Sequence, residues 1–243
     1  RRRYDNKGLF ADANGSINVK VPGEIDLKTG EFPIFANNGK IEITGFTKLS
    51  AEDTGRQYEA GDAVRNANQS AAQGGTSSIR IVGTADSTIS LISQRSNRDD
   101  GRTLPVVQDA SQKGEGTLIQ GGSIEIRRIA LQPHSIVFTG YYMEEGHIDI
   151  EGGHAVIIGS PDHENEFAVQ GFSQGNGFST IDINKTWKGK VTIYGSVAAE
   201  SAEVNIYYAG KDSRQNGEVL AAKSHLDSED GFTLNGTGRA GDT

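Results

Sequence analysis

The feature that most constrains this chain is the segment HIDIEGGHAVII. There, two short alternating runs, His147–Glu151 and His154–Ile158, flank Gly152-Gly153. Alternation with period two marks a half-buried strand, and a Gly-Gly pair supplies the positive φ values that a two-residue hairpin turn needs. Two residues cannot join parallel strands, so the pattern predicts an antiparallel hairpin. Thr180–Asn184 and Lys190–Tyr194, separated by KTWKG, predict a second one with a longer loop.

Further strand-like runs fall at Ser16–Val21, Glu24–Leu27, Phe32–Phe35, Lys40–Leu49, Ser78–Val82 and Thr88–Ile92. From Thr117 onward they crowd together at Ile124–Ile126, Ile136–Thr139, Phe167–Val169 and Val204–Tyr207, with one more at Gly231–Leu234. Gly at 32 residues suits many turns, and no long periodic leucine- or alanine-rich run speaks for helices. Short strands at such intervals predict an all-β fold, an antiparallel β-sandwich or jelly roll with long polar loops and extended terminal arms. A parallel β-helix is the alternative; the hairpin, and the lack of a constant repeat or an asparagine ladder, place it second. The predicted organisation is an N-terminal arm over residues 1–15, a sandwich over 16–210 with polar loops at 50–76 and 94–116, and a polar segment over 211–243.

Four of the five histidines lie between His134 and His163 among many acids. On a strand His147, Asp149 and Glu151 share a face, and across a two-residue turn Glu151 would stand opposite His154. His147, Asp149, Glu151 and His154 are therefore the candidate ligands for a divalent metal. The surrounding stretch, Pro133-His134-Ser135 through Tyr142-Met143-Glu144-Glu145-Gly146-His147 to Gly152-Gly153, resembles the cupin family, which carries a PHxH run, a strand ending in glycine and a tight hairpin. The resemblance covers about 30 residues and implies a jelly-roll hairpin. It departs from the family where the second histidine position holds Ile136.

Other chemistry is thinly signalled. Asp5-Asn6-Lys7-Gly8 and Asp12-Ala13-Asn14-Gly15 offer oxygens for calcium but lack the full loop spacing and read as turns. With no cysteine there is no thiolate catalysis or disulfide. No G-x-S-x-G, phosphate-binding loop or dinucleotide fingerprint occurs, and no apolar run reaches the length of a membrane span. Aromatics are few, with Trp187 alone and doublets at Tyr141-Tyr142 and Tyr207-Tyr208, short of a carbohydrate platform.

The net charge of −8 disfavours polyanion binding, except through Arg1, Arg2 and Arg3, a basic terminus suited to nucleic acid or another anionic partner. Arms and long loops bury little within a monomer and gain order from neighbours. The expected function is thus non-enzymatic: a structural subunit that binds copies of itself and other subunits. It would be a virion coat, decoration or tail protein, or an extracellular filament or surface-layer subunit, located on a virion or at the cell surface. A jelly-roll metal enzyme and a carbohydrate-binding or adhesin module are the alternatives.

Overall fold

The computed structural model describes residues 7–55, 62–68, 77–94, 105–111, 115–129, 135–140, 145–161, 167–173, 177–208, 214–216, 219–221, 224–228 and 232–235. Regular structure among them is all strand. The first coil holds β1 (Leu9–Asp12), β2 (Ser16–Lys20) and β3 (Glu24–Thr29); the second β4 (Ile34–Asn37), β5 (Lys40–Thr44) and β6 (Lys48–Asp53); the third β7 (Val64–Ala67), β8 (Ser78–Val82) and β9 (Thr88–Ser93). The next three coils each have two strands: β10 (Val107–Ala110) and β11 (Gly116–Arg128), β12 (Val137–Thr139) and β13 (His147–Ile158), β14 (Phe167–Phe172) and β15 (Ser179–Tyr194). Toward the C-terminus follow β16 (Ser196–Glu200), β17 (Ala202–Tyr208), β18 (Arg214–Asn216), β19 (Val219–Ala221), β20 (Ser224–Ser228) and β21 (Phe232–Asn235).

Each coil lies on the one before it, and every pairing among the described strands is parallel. Three stacks result. The first is an eight-stranded sheet, β1-β4-β7-β10-β12-β14-β16-β19. The second (β2-β5-β8) and third (β3-β6-β9) merge into one 13-stranded sheet, because β11, β13 and β15 run through both.

Register explains the stacking. Inward positions of successive coils coincide, as in Val19–Ile43–Ile81–Ile119–Ile150–Ile183–Ile206 in the second stack. The third stack carries Ile25–Leu49–Ile89–Ile124–Val156–Val191, and the first Leu9–Ile34–Val64–Val107–Val137–Val169–Val197. These rows form one continuous core. Fully burying each such side chain contributes about 1.5–3 kcal/mol, and β-branched residues fit the pleated wall.

The structure corrects the sandwich and jelly-roll expectation, because an antiparallel fold is incompatible with this strand order. The arrangement follows the second reading, coils stacked in parallel. The hairpin does not form: β13 runs on through Gly152-Gly153 without reversing, and neither glycine has a positive φ. The KTWKG segment likewise lies inside the continuous β15. With the hairpin goes the likeness to a cupin jelly roll. The coat and capsid expectation loses the fold on which it rested, and nothing in the structure supports a viral role.

Close approach, not turning, calls for the glycines. A Cβ on Gly152 would sit 2.5 Å from Val156 Cγ2 and 2.7 Å from the Ala155 carbonyl oxygen. One coil earlier, a Cβ on Gly122 would press into the Ala85 carbonyl. The corner between second and third stacks is thus narrow, whereas the longer connections sit at the two corners flanking the first sheet. Within the expected loops, β7 and β10 form short strands whose inward residues include Asn66 and Asp109. Polar inward residues hid them from an apolar alternation count. β1 lies within residues 1–15, and β18 to β21 within 211–243.

Candidate functional site

The outer face of the second stack carries the expected ligands. Inward Ile148 and Ile150 alternate with outward His147, Asp149 and Glu151 on β13, as strand geometry requires. His154 lies beyond the corner and is exposed. Because the chain does not turn back, Glu151 pairs in register with Gln120 of β11, not with His154. Among the described residues, no group of three His, Asp or Glu side chains is placed to hold a metal ion.

A carboxylate cluster occupies this face instead. Asp149 stands in register with Asp182 on β15, and Asp182 with Asn205 on β17. Asn205 Nδ2 donates to Asp182 Oδ1 at 2.8 Å, and Lys185 Nζ lies 3.9 Å from Asp182 Oδ2. Burial, then the charges of Asp182 and Glu151, push the Asp149 carboxyl up to about 6; in its protonated form it hydrogen-bonds Asp182. Glu151 is buried, and Glu151 Oε2 accepts the amides of Thr186 (3.0 Å) and Trp187 (2.7 Å). Burial raises its pKa against the pull of those amides. Tyr207 beside the cluster is raised too, by burial and then by Asp182.

Compared with protein-family models, curated proteins and solved structures, the chain matches none.

Two further polar assemblies were not read from the sequence. At the corner beside Glu151, Asn184 adopts φ 57° and is fully buried. Its Oδ1 accepts Gly152 N–H at 2.7 Å, stapling adjacent coils, and its Nδ2 donates to the Gly189 carbonyl of its own strand at 2.8 Å. Asn184 also begins an N-x-T triplet, so here the triplet marks a buried staple. Inside the solenoid, Asp109 accepts from Asn66 Nδ2 (3.1 Å), Ser111 Oγ (2.7 Å), Thr117 Oγ1 (2.6 Å) and the His147 amide (3.3 Å). Burial raises its pKa despite these donors.

Of the remaining sequence candidates, Asp12-Ala13-Asn14-Gly15 forms a turn. Ala13 and Asn14 have φ 52° and 65°, and Asp12 Oδ1 accepts the Ala13 amide and Asn37 Nδ2. Arg1, Arg2, Arg3, Asp5-Asn6, His134, His163 and Tyr141-Tyr142 lie outside the described residues. Phe10, Phe32 and Phe35 stack at 4.9 Å, with Lys7 and Arg65 over their rings at 5.3–5.8 Å. That arrangement packs the rings against one another on the outer face of the first sheet, apart from the interior core; among the described residues Phe178 is the one exposed ring.

Chemically, Asp149 beside Asp182 can hold and release a proton near pH 6. Glu151, Asn184 and Asp109 spend their hydrogen-bonding capacity on the backbone and neighbouring coils.

Proposed function

We propose that this chain is a non-enzymatic structural module, a stack of parallel coils that joins a larger assembly through the open end of its first coil. One observation carries the reading. The first coil's inward residues Leu9, Ile17, Val19, Ile25 and Leu27 are only partly buried, yet one coil later Ile34, Ile41, Ile43, Leu49 and Ala51 are at most 1% exposed. Among the described residues no strand pairs with the outer edge of β1, β2 or β3.

Solenoids need polar terminal repeats for solubility, and an unpaired strand edge is a template for another chain. An end that is apolar inside and open along its edge is suited to being covered. The polar networks support the same reading from the other side, since Glu151, Asn184 and Asp109 hydrogen-bond the backbone and side chains of the coil stack.

Sedimentation velocity over a hundredfold range of concentration tests this. A mass that rises above one chain as concentration rises is expected; a monomer throughout overturns the reading.

A further inference from the structure

We propose that the partner at the open end is a second copy of this chain, joined head to head through antiparallel self-pairing of β3. This rests on the assembly reading above and specifies its partner. The outward residues of β3 are Glu24, Asp26 and Lys28, all exposed, and the inward ones are Ile25, Leu27 and Thr29. Directly opposite residues on antiparallel strands share a face, so only registers that keep Ile25 and Leu27 inside are allowed, since a one-residue slip would turn them outward.

Charge selects among those registers. Placing Leu27 opposite Leu27 of the second copy sets Asp26 opposite Lys28 twice and Ile25 opposite Thr29 twice. Moving two residues one way puts Asp26 against Asp26; moving two the other way puts Lys28 against Lys28. Among registers pairing four or more residues, only the first brings no like charges face to face. A contact in which residue i meets j and j meets i is the isologous contact of a two-fold dimer.

The other two stacks agree with this axis. A two-fold axis through the third stack and perpendicular to the coil axis exchanges the first and second stacks between copies. It sets β1 of one copy antiparallel to β2 of the other, with Leu9 and Ala11 against Ile17 and Val19. One operation thus covers every exposed inward residue of the first coil.

The test uses two charge reversals in the whole chain, Asp26→Lys and Lys28→Asp. Asp26 stands in register with Ser50 of its own chain, so its reversal breaks no internal pair. The Lys28–Glu52 pair, at 3.3 Å, is exposed on the lysine side and largely covered on the glutamate side, so Lys28→Asp sets a carboxylate opposite Glu52 and lowers the stability of its own chain slightly. Sedimentation velocity and native mass spectrometry would follow association, with thermal melts of the monomers showing that both variants fold. Each variant alone sets like charges opposite at both symmetric positions and should dimerise about tenfold more weakly than the parent. Mixed one to one, they set lysine against aspartate at both positions and should form the heterodimer.

A parent that self-associates while the mixture forms no heterodimer overturns the self-pairing and leaves the assembly reading standing. Open-ended polymers, or a dimer that appears only after deletion of residues 1–6, also overturn it. A parent that stays monomeric at every concentration overturns both.

Discussion

Asp149 keeps its proton to about pH 6 because it is partly buried beside Asp182 and Glu151. Its folded pKa lies above the value near 4 of an unfolded chain, so the folded state binds this proton more tightly. The stabilisation is complete below about pH 4 and is lost as pH rises through about 6. Above that, three carboxylates share one face with Lys185 nearby. Asp149→Asn removes the titrating group and keeps a hydrogen-bond donor for Asp182. Its melting temperature should exceed the parent's at pH 7.5, and the difference should vanish or reverse near pH 4. Calorimetric melts of both proteins across that range check this; a difference that does not change with pH would show that Asp149 does not titrate between the two states.

At the scale of the element, the corner between the second and third stacks shows what the sequence could and could not convey. Strand positions were legible: SIRIV and TISLI are β8 and β9, and the runs on either side of Gly152-Gly153 are the two halves of β13. Their partners were not, because alternation reports which residues face inward and says nothing of which strand lies alongside. Gly-Gly signals backbone permissiveness, and a hairpin and a tight stacked corner both draw on it. A better signal lay near the N-terminus, where FADANGSINV and FANNGKIEI repeat one coil apart. Later insertions hid that period, since the step between coils grows from 24 residues (Val19 to Ile43) to 43 (Val64 to Val107). The carboxylate cluster was legible in part, as Asp149 and Glu151 were singled out, but Asp182 and Asn205 join them only through coil register. If stacking sets the need for glycine, Gly122→Ala should destabilise by about 1–3 kcal/mol, because the methyl meets the Ala85 backbone. Gly23→Ala, with open space around its Cβ, should change stability by less than about 1 kcal/mol. Urea unfolding of the two variants distinguishes a packing requirement from a general intolerance of substitution at these corners.

For the whole molecule, each coil touches only the coils before and after it, so stability is close to a sum of coil and interface contributions. Position along the stack should then set the effect of an identical deletion. Ile150 is fully buried between Ile119 and Ile183, whereas Val19 has Ile43 on one side and the open end on the other. Ile150→Ala should destabilise by about 2–5 kcal/mol, the range for a core truncation that leaves a cavity. Val19→Ala should have a smaller effect, under about 1 kcal/mol, when measured on dilute monomer. A second copy changes that asymmetry: once dimerisation covers the first coil, Val19 gains neighbours and its truncation should weaken association as well. The Val19→Ala effect on melting temperature should therefore grow with protein concentration, while that of Ile150→Ala should hold nearly constant. Melts at two concentrations a hundredfold apart measure this directly. A concentration-independent effect at Val19 would mean that the first coil's inward row meets solvent, or its own chain, in the assembled protein too.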